Sequence, residues 1–194
     1  MIHQILGLAL FIAGCSHLIT GVVPIESRIV QYLQGQSQNK PWLPFFQEIW
    51  FFGRTSFTVI TLLLLASLKW KLGITSLISF MAIVGIEQII KTAFKRPRPF
   101  SANQEIRLLQ PIRPLDSSFP SGDALRVWYL AFIIPVAAGG KGFFLPAAIM
   151  LATLVTLGRS IMGVHYPTDT IAGAGLGLLA AGTTLWIWQY LGLL

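Results

Sequence analysis

The chain has 194 residues, of which 54% are hydrophobic and only 11% charged, with a mean hydropathy of +0.70. Soluble domains average about 25% charged residues, so this composition excludes an ordinary soluble globule and points to a single membrane-embedded domain over residues 1–194. The formal net charge of +7 does not imply nucleic acid, because seven of the fourteen basic residues crowd between Lys91 and Arg126, beside apolar runs. A phosphate-bearing lipid or an anionic membrane surface suits that placement better.

Ile2 to Val23 is apolar apart from His3, Gln4 and His17. About 22 residues at 1.5 Å each reach roughly 33 Å, enough for a first span. Ile12-Ala13-Gly14-Cys15 resembles a lipoprotein cleavage site, but no basic segment precedes it and the apolar run continues beyond, so an uncleaved span is expected. Cys15, the single cysteine, excludes an internal disulfide. Pro24 to Gln36 carries Ile25, Ile29, Tyr32 and Leu33 at helical spacing, which predicts a short amphipathic helix on the membrane surface. The polar stretch from Gly35 to Pro44 reads as a loop, and Trp42 and Trp50 mark an interface.

A second span is expected over about Ile49–Leu68 and a third over Leu72–Ile90. The basic, proline-rich stretch from there to Pro120 is a loop of about thirty residues, a length that is usually functional. Spans four, five and six are expected near Ala124–Ala138, Phe143–Leu157 and Thr168–Leu191. Gly173 and Gly177 give the last a small-residue packing face, and Trp186, Trp188 and Tyr190 are expected at its far interface. The fold class is therefore all-α: a six-span transmembrane helix bundle with a short amphipathic helix between spans 1 and 2. Six spans place the 3–4 and 5–6 loops on the face opposite the termini. Lys69, Lys71 and Lys141 in the short turns on the terminus side suggest that this side is cytoplasmic, with the site on the non-cytoplasmic face of a cytoplasmic membrane.

Three clusters carry chemistry. Glu87 lies one helical turn before Lys91 and can pair with it, and prolines stiffen the approach of Arg96 and Arg98. Phe119-Pro120-Ser121-Gly122-Asp123 opens span 4, where backbone N–H groups, a serine hydroxyl and a glycine suit an anion or an ordinary N-cap. Gly158 to Asp169 brings Arg159, His165 and Asp169 together. Pro167 suits the first turn of the next helix, so Asp169 can reach back to the imidazole and leave the other ring nitrogen free as base or nucleophile. Arg159 adds a planar donor for phosphate or carboxylate.

Together these residues resemble the type 2 phosphatidic acid phosphatase (PAP2) superfamily, whose pattern is Lys-x6-Arg-Pro, Pro-Ser-Gly-His and Ser-Arg-x5-His-x3-Asp. Here it reads Lys91 to Arg98-Pro99, Pro120-Ser121-Gly122-Asp123, and Gly158-Arg159 to His165 to Asp169. The resemblance implies that His165 is a nucleophile forming a phosphohistidine and that Asp169 orients it. It also implies that Lys91, Arg98, Ser121, Gly122 and Arg159 bind the phosphoryl oxygens of a phosphorylated lipid, with no metal or other cofactor. Gly158 stands where the family has serine. Asp123 stands where it has the histidine that resembles the acid for the leaving group. Asp123 then acts as a protonated acid, is dispensable for a good leaving group, or marks lost chemistry. A membrane phosphatase acting on a lipid phosphate or polyprenyl diphosphate is the leading expectation. The alternatives are phosphoryl transfer to another lipid and a non-catalytic lipid-phosphate carrier.

Overall fold

A computed structural model describes residues 2–19, 21–37, 41–140 and 142–194. Among the described residues there are helices and turns but no strand: α1 (Ile2–Gly14), α2 (Val22–Ser37), α3 (Trp42–Ile49), α4 (Thr55–Leu68), α5 (Trp70–Phe94), α6 (Pro99–Ala102), α7 (Gly122–Ala137), α8 (Phe144–Ile161) and α9 (Pro167–Tyr190). Two 3-10 turns, Cys15–Leu18 and Trp50–Gly53, interrupt the chain where continuous spans were expected.

Three segments, Trp70–Ala102, Phe144–Ile161 and Pro167–Tyr190, are long and apolar enough to cross a membrane, or five if each of two bent helix pairs forms one span. Those pairs bend by 102° between α1 and α2 and by 49° between α3 and α4. The expected count of six exceeds this because α7 has 16 residues, about 24 Å, against a hydrocarbon core of about 30 Å. The apolar segments make this an integral membrane protein.

Helix α9 is the central post, packed on α1, α7, α5 and α8. It presents two glycine faces. A Cβ on Gly173 would sit 2.2 Å from the carbonyl oxygen of Ser121, the residue just before α7, and one on Gly175 would sit 2.6 Å from the Gly7 carbonyl oxygen of α1. Only glycine permits either approach, which draws the start of α7 against the start of α9. Trp188 was expected at the interface but is fully buried, and its indole Nε1 donates to Thr75 Oγ1 of α5 at 2.7 Å. Trp186 and Tyr190 are exposed and stack on each other.

The expected amphipathic helix is α2, with Ile25, Ile29 and Tyr32 outward. Its inward side sets the fully buried Val30 beside polar residues: Gln34 exchanges two hydrogen bonds with the Arg107 backbone (2.7 and 3.0 Å), and at the exposed edge Gln31 donates to Glu105. The stretch from Gly35 to Pro44 is shorter as a loop than expected, since α2 runs to Ser37 and α3 starts at Trp42; 38–40 and Lys141 lie outside the described residues.

Candidate active site

Helix α5 ends where the basic loop begins. Lys95 adopts a left-handed conformation (φ 45°), and Pro97 and Pro99 bar a further turn, so the chain leaves the helix there, with Arg98 on extended backbone. The loop then fastens to the α8–α9 turn: Phe100 N–H donates to the Gly163 carbonyl at 3.1 Å and Leu109 N–H to the Met162 carbonyl at 3.1 Å. The basic loop and the Gly158–Asp169 segment therefore meet, as the topology required.

At the start of α9, Pro167 fills the first helical position and Asp169 Oδ2 accepts the Tyr166 N–H at 2.8 Å. His165 sits just before it and is buried. Its Nδ1 faces the Ser118 carbonyl at 2.8 Å, which requires the proton on Nδ1. Its Nε2 faces Arg98 Nη1 at 3.2 Å; arginine only donates, so Nε2 carries a lone pair. Burial first, then Arg98, Arg159 and Lys91, push the imidazole well below its usual pKa of 6.5. The ring is neutral at pH 7 with Nε2 as its basic atom.

The expectation that Asp169 touches His165 is corrected in detail. Asp169 Oδ2 is 3.7 Å from Nδ1, beyond a hydrogen bond. The carboxylate is occupied by Arg96 on Oδ1 and by the Ser118 hydroxyl (2.5 Å) and Tyr166 N–H on Oδ2. Ser118 thus stands between them, donating to Asp169 and accepting from His165. Arg96 also pairs with Glu26 of α2 at 2.6 Å and lies 4.1 Å over the Tyr166 ring. Glu26 in turn accepts the Thr168 N–H at 2.8 Å.

Of the remaining expected residues, Arg98 contacts Nε2, and Lys91 and Arg159 lie close enough to act on the charge of the imidazole. Asp116 bridges Lys91 Nζ (2.5 Å) and Arg98 Nη2 (2.6 Å). Partial burial pushes the Asp116 carboxyl up, but Lys91 and Arg98 together hold it below the usual carboxylate range. Glu87 faces Lys91 at 2.9 Å, as an ion pair rather than an aligned hydrogen bond. Arg159 is 2% exposed; its Nη2 binds Asp123 Oδ2 (2.9 Å) and the Gln110 side chain, and its guanidinium lies 5.4 Å from the Trp50 ring centre. Its Nε and Nη1 are buried with no hydrogen-bond partner among the described residues. Asp123 Oδ1 pairs with Arg126 at 3.0 Å, and the Trp50 indole donates to Oδ2 at 3.2 Å.

Ser121 and Gly122 have structural tasks here. Ser121 is the N-cap of α7 and its N–H donates to the Asp169 carbonyl at 2.9 Å. A Cβ on Gly122 would lie 2.3 Å from Glu87 Oε1. At Gly158, an added Cβ would meet the Phe46 ring at 3.0 Å, so α3 occupies the space beside it.

Sequence reasoning missed Asp116, Ser118, Arg96, Glu26, Gln110 and Trp50 as contributors. Arg96 and Asp116 stood inside the basic loop that was singled out. Glu26 had one local signal, as the lone carboxylate on the expected amphipathic helix.

The sequence model of the PAP2 superfamily matches residues 70–193. The undecaprenyl-diphosphatase of Sulfolobus acidocaldarius is 37% identical over 119 residues, 61% of this chain and 56% of that protein. The chain spans about half the length of the curated relatives it matches. In fold it is similar to the transmembrane PAP2 type phosphatidylglycerolphosphate phosphatase from Bacillus subtilis, with a TM-score of 0.80 at 20% identity, covering 98% of each chain. It is also similar to Aquifex aeolicus LpxE, with a TM-score of 0.70 at 23% identity, covering 82% of this chain and 93% of that one.

Proposed function

The chain belongs to the PAP2 superfamily, and on that premise we propose that it is a membrane phosphatase hydrolysing a lipid phosphate or lipid (polyprenyl) diphosphate through a phosphohistidine on His165. The observation that carries this reading is the tautomer: the Ser118 carbonyl holds the Nδ1 proton, so the Nε2 lone pair faces the cations.

In the first step Nε2 attacks phosphorus and the bond to the leaving oxygen breaks. The imidazole gains positive charge, which the Ser118 carbonyl stabilises. Lys91, Arg98 and the two unpartnered N–H-bearing nitrogens of Arg159 meet the developing negative charge on the phosphoryl oxygens, and Ser121 and Gly122 border them at the start of α7. Water then attacks the phosphoryl group, the P–N bond breaks, and inorganic phosphate leaves with the imidazole neutral again. Asp169 holds Ser118 and the turn around His165 in place.

Asp123 is committed to Arg126 and Arg159. That pairing supports a substrate whose leaving group needs no proton, and a departing phosphate is far less basic than an alkoxide. The diphosphatase relative points the same way. Purified protein should therefore release inorganic phosphate faster from a polyprenyl diphosphate than from the monophosphate, and His165→Ala should lose turnover on the order of 10⁴-fold. No release from either lipid by wild type would sink the reading.

We infer a six-span arrangement with α7 as a short fourth crossing and the site on the non-cytoplasmic face of the cytoplasmic membrane, a reading that Lys69 and Lys71 at the opposite end support. A cysteine introduced between 100 and 115 should react with an impermeant thiol reagent from the side opposite the termini. Labelling from the terminus side would reverse the orientation.

A further inference from the structure

The cations of the site already have carboxylates against them, and those carboxylates are held differently. Asp123 lies on α7 among three donors, Arg126, Arg159 and Trp50. Asp116 lies on the loop segment before α7, with its side chain 47% exposed, and among the described residues the only side chains holding its carboxylate are Lys91 and Arg98. Its two oxygens bridge Lys91 Nζ and Arg98 Nη2 at 2.5 and 2.6 Å, much as two oxygens of a phosphoryl group would.

Rotation of the side chain alone would release both cations, because Arg98 Nε would keep the Asp116 main-chain carbonyl at 2.9 Å. The room for that rotation exists. A cavity of about 580 Å³ adjoins Asp116 and Ser117, lined also by Lys95 and Arg113.

We propose that Asp116 is a specificity-determining residue: its carboxylate is an internal anion on Lys91 and Arg98 that a terminal phosphate displaces and a phosphodiester does not. This rests on the lipid-phosphate reading given above. A phosphodiester, the linkage in bilayer phospholipid headgroups, carries one negative charge and two free oxygens. It would exchange one singly charged bidentate anion for another and gain nothing. A terminal phosphate carries about −1.5 to −2 at pH 7 and has three free oxygens. The additional charge and the third oxygen reach Arg159, whose Nε and Nη1 Asp116 leaves unpartnered. The contact thereby keeps bulk phospholipid out of the site.

The test is calorimetric binding of inorganic phosphate and of dimethyl phosphate to the detergent-purified full chain at pH 7. Wild type should bind phosphate at least about tenfold more tightly than dimethyl phosphate. Asp116→Asn removes the internal charge, so dimethyl phosphate should tighten about tenfold and the preference should shrink. Asp116→Ser carries the same expectation should the asparagine variant fail to fold. Phosphatidylglycerol vesicles should then inhibit phosphate release by the variant more than by wild type. An unchanged preference in the variant, or equal binding of both anions by wild type, would overturn the proposal. Because the binding measurement needs no turnover, its failure is distinct from failure of the phosphatase reading.

Discussion

On one side of His165 lie Lys91, Arg98 and Asp116; on the other lie Glu26, Arg96 and Asp169. Both sets are ion networks of arginine or lysine with carboxylates, drawn partly from the same three-residue stretch of loop, Arg96 to Arg98. They differ in closure. Arg96 and Glu26 are 7% and 4% exposed at their side chains and Asp169 is 0% exposed, with donors on both oxygens of each carboxylate. The Asp116 carboxylate, by contrast, is 47% exposed and opens on a cavity. A closed network has no unsatisfied group to offer a ligand, so it can only position; an open one exchanges its anion. Arg96 and Arg98 are two residues apart yet serve different networks, Arg96 binding Glu26 and Asp169 while Arg98 binds Asp116 and faces His165.

Breaking the closed network should have the largest effect on stability. Glu26→Ala leaves Arg96 and the Thr168 N–H buried without their shared partner, a loss of about 3–5 kcal/mol for half of a buried pair. Asp116→Asn should cost about 1 kcal/mol or less, since one partner is half-exposed. Denaturant unfolding in detergent compares the two directly. Equal losses would mean that both networks are structural and that the contrast in closure has no functional content.

Much of this arrangement was legible in the chain. Apolar runs located α5, α8 and α9 to within a few residues, and the spacing of Lys91, Arg98, Arg159 and His165 anticipated their convergence. The breaks at Trp50–Gly53 and after Gly14 were not legible, because hydropathy measures apolar length and says nothing of where a helix bends. The partner of His165 Nδ1 was misassigned for a related reason. An i to i+4 spacing shows that Asp169 can reach the ring, but not that Arg96, Ser118 and Tyr166 claim its oxygens first. Trp50 read as an interface tryptophan because its sequence context is apolar. Its partner Asp123 is 73 residues away, and only the fold brings them together.

The last and smallest effect concerns Asp123, which belongs to neither network and separates a positioning role from an acid role. With Arg126, Arg159 and the Trp50 indole on its two oxygens, Asp123 holds the Arg159 Nη2 edge and leaves Nε and Nη1 without a partner among the described residues. Asp123→Asn retains one acceptor oxygen, so kcat/KM should fall by less than about tenfold and by the same factor for a lipid monophosphate and a diphosphate. A general acid would behave otherwise, because proton donation contributes about 10² to 10⁴ in rate and matters most for the more basic leaving oxygen. The pH profile gives a second readout. Protonation of Nε2 removes the nucleophile, and the His165 pKa is pushed well below 6.5, so activity should persist as pH falls through 6.5 and be lost only further down. Comparing wild type with Asp123→Asn on one substrate cancels the titration of the substrate itself. If Asp123 only positions Arg159, the acid limb stays where it is and no basic limb disappears. A monophosphate-selective loss, together with disappearance of a basic limb, would make Asp123 the proton donor after all and remove the argument for a diphosphate.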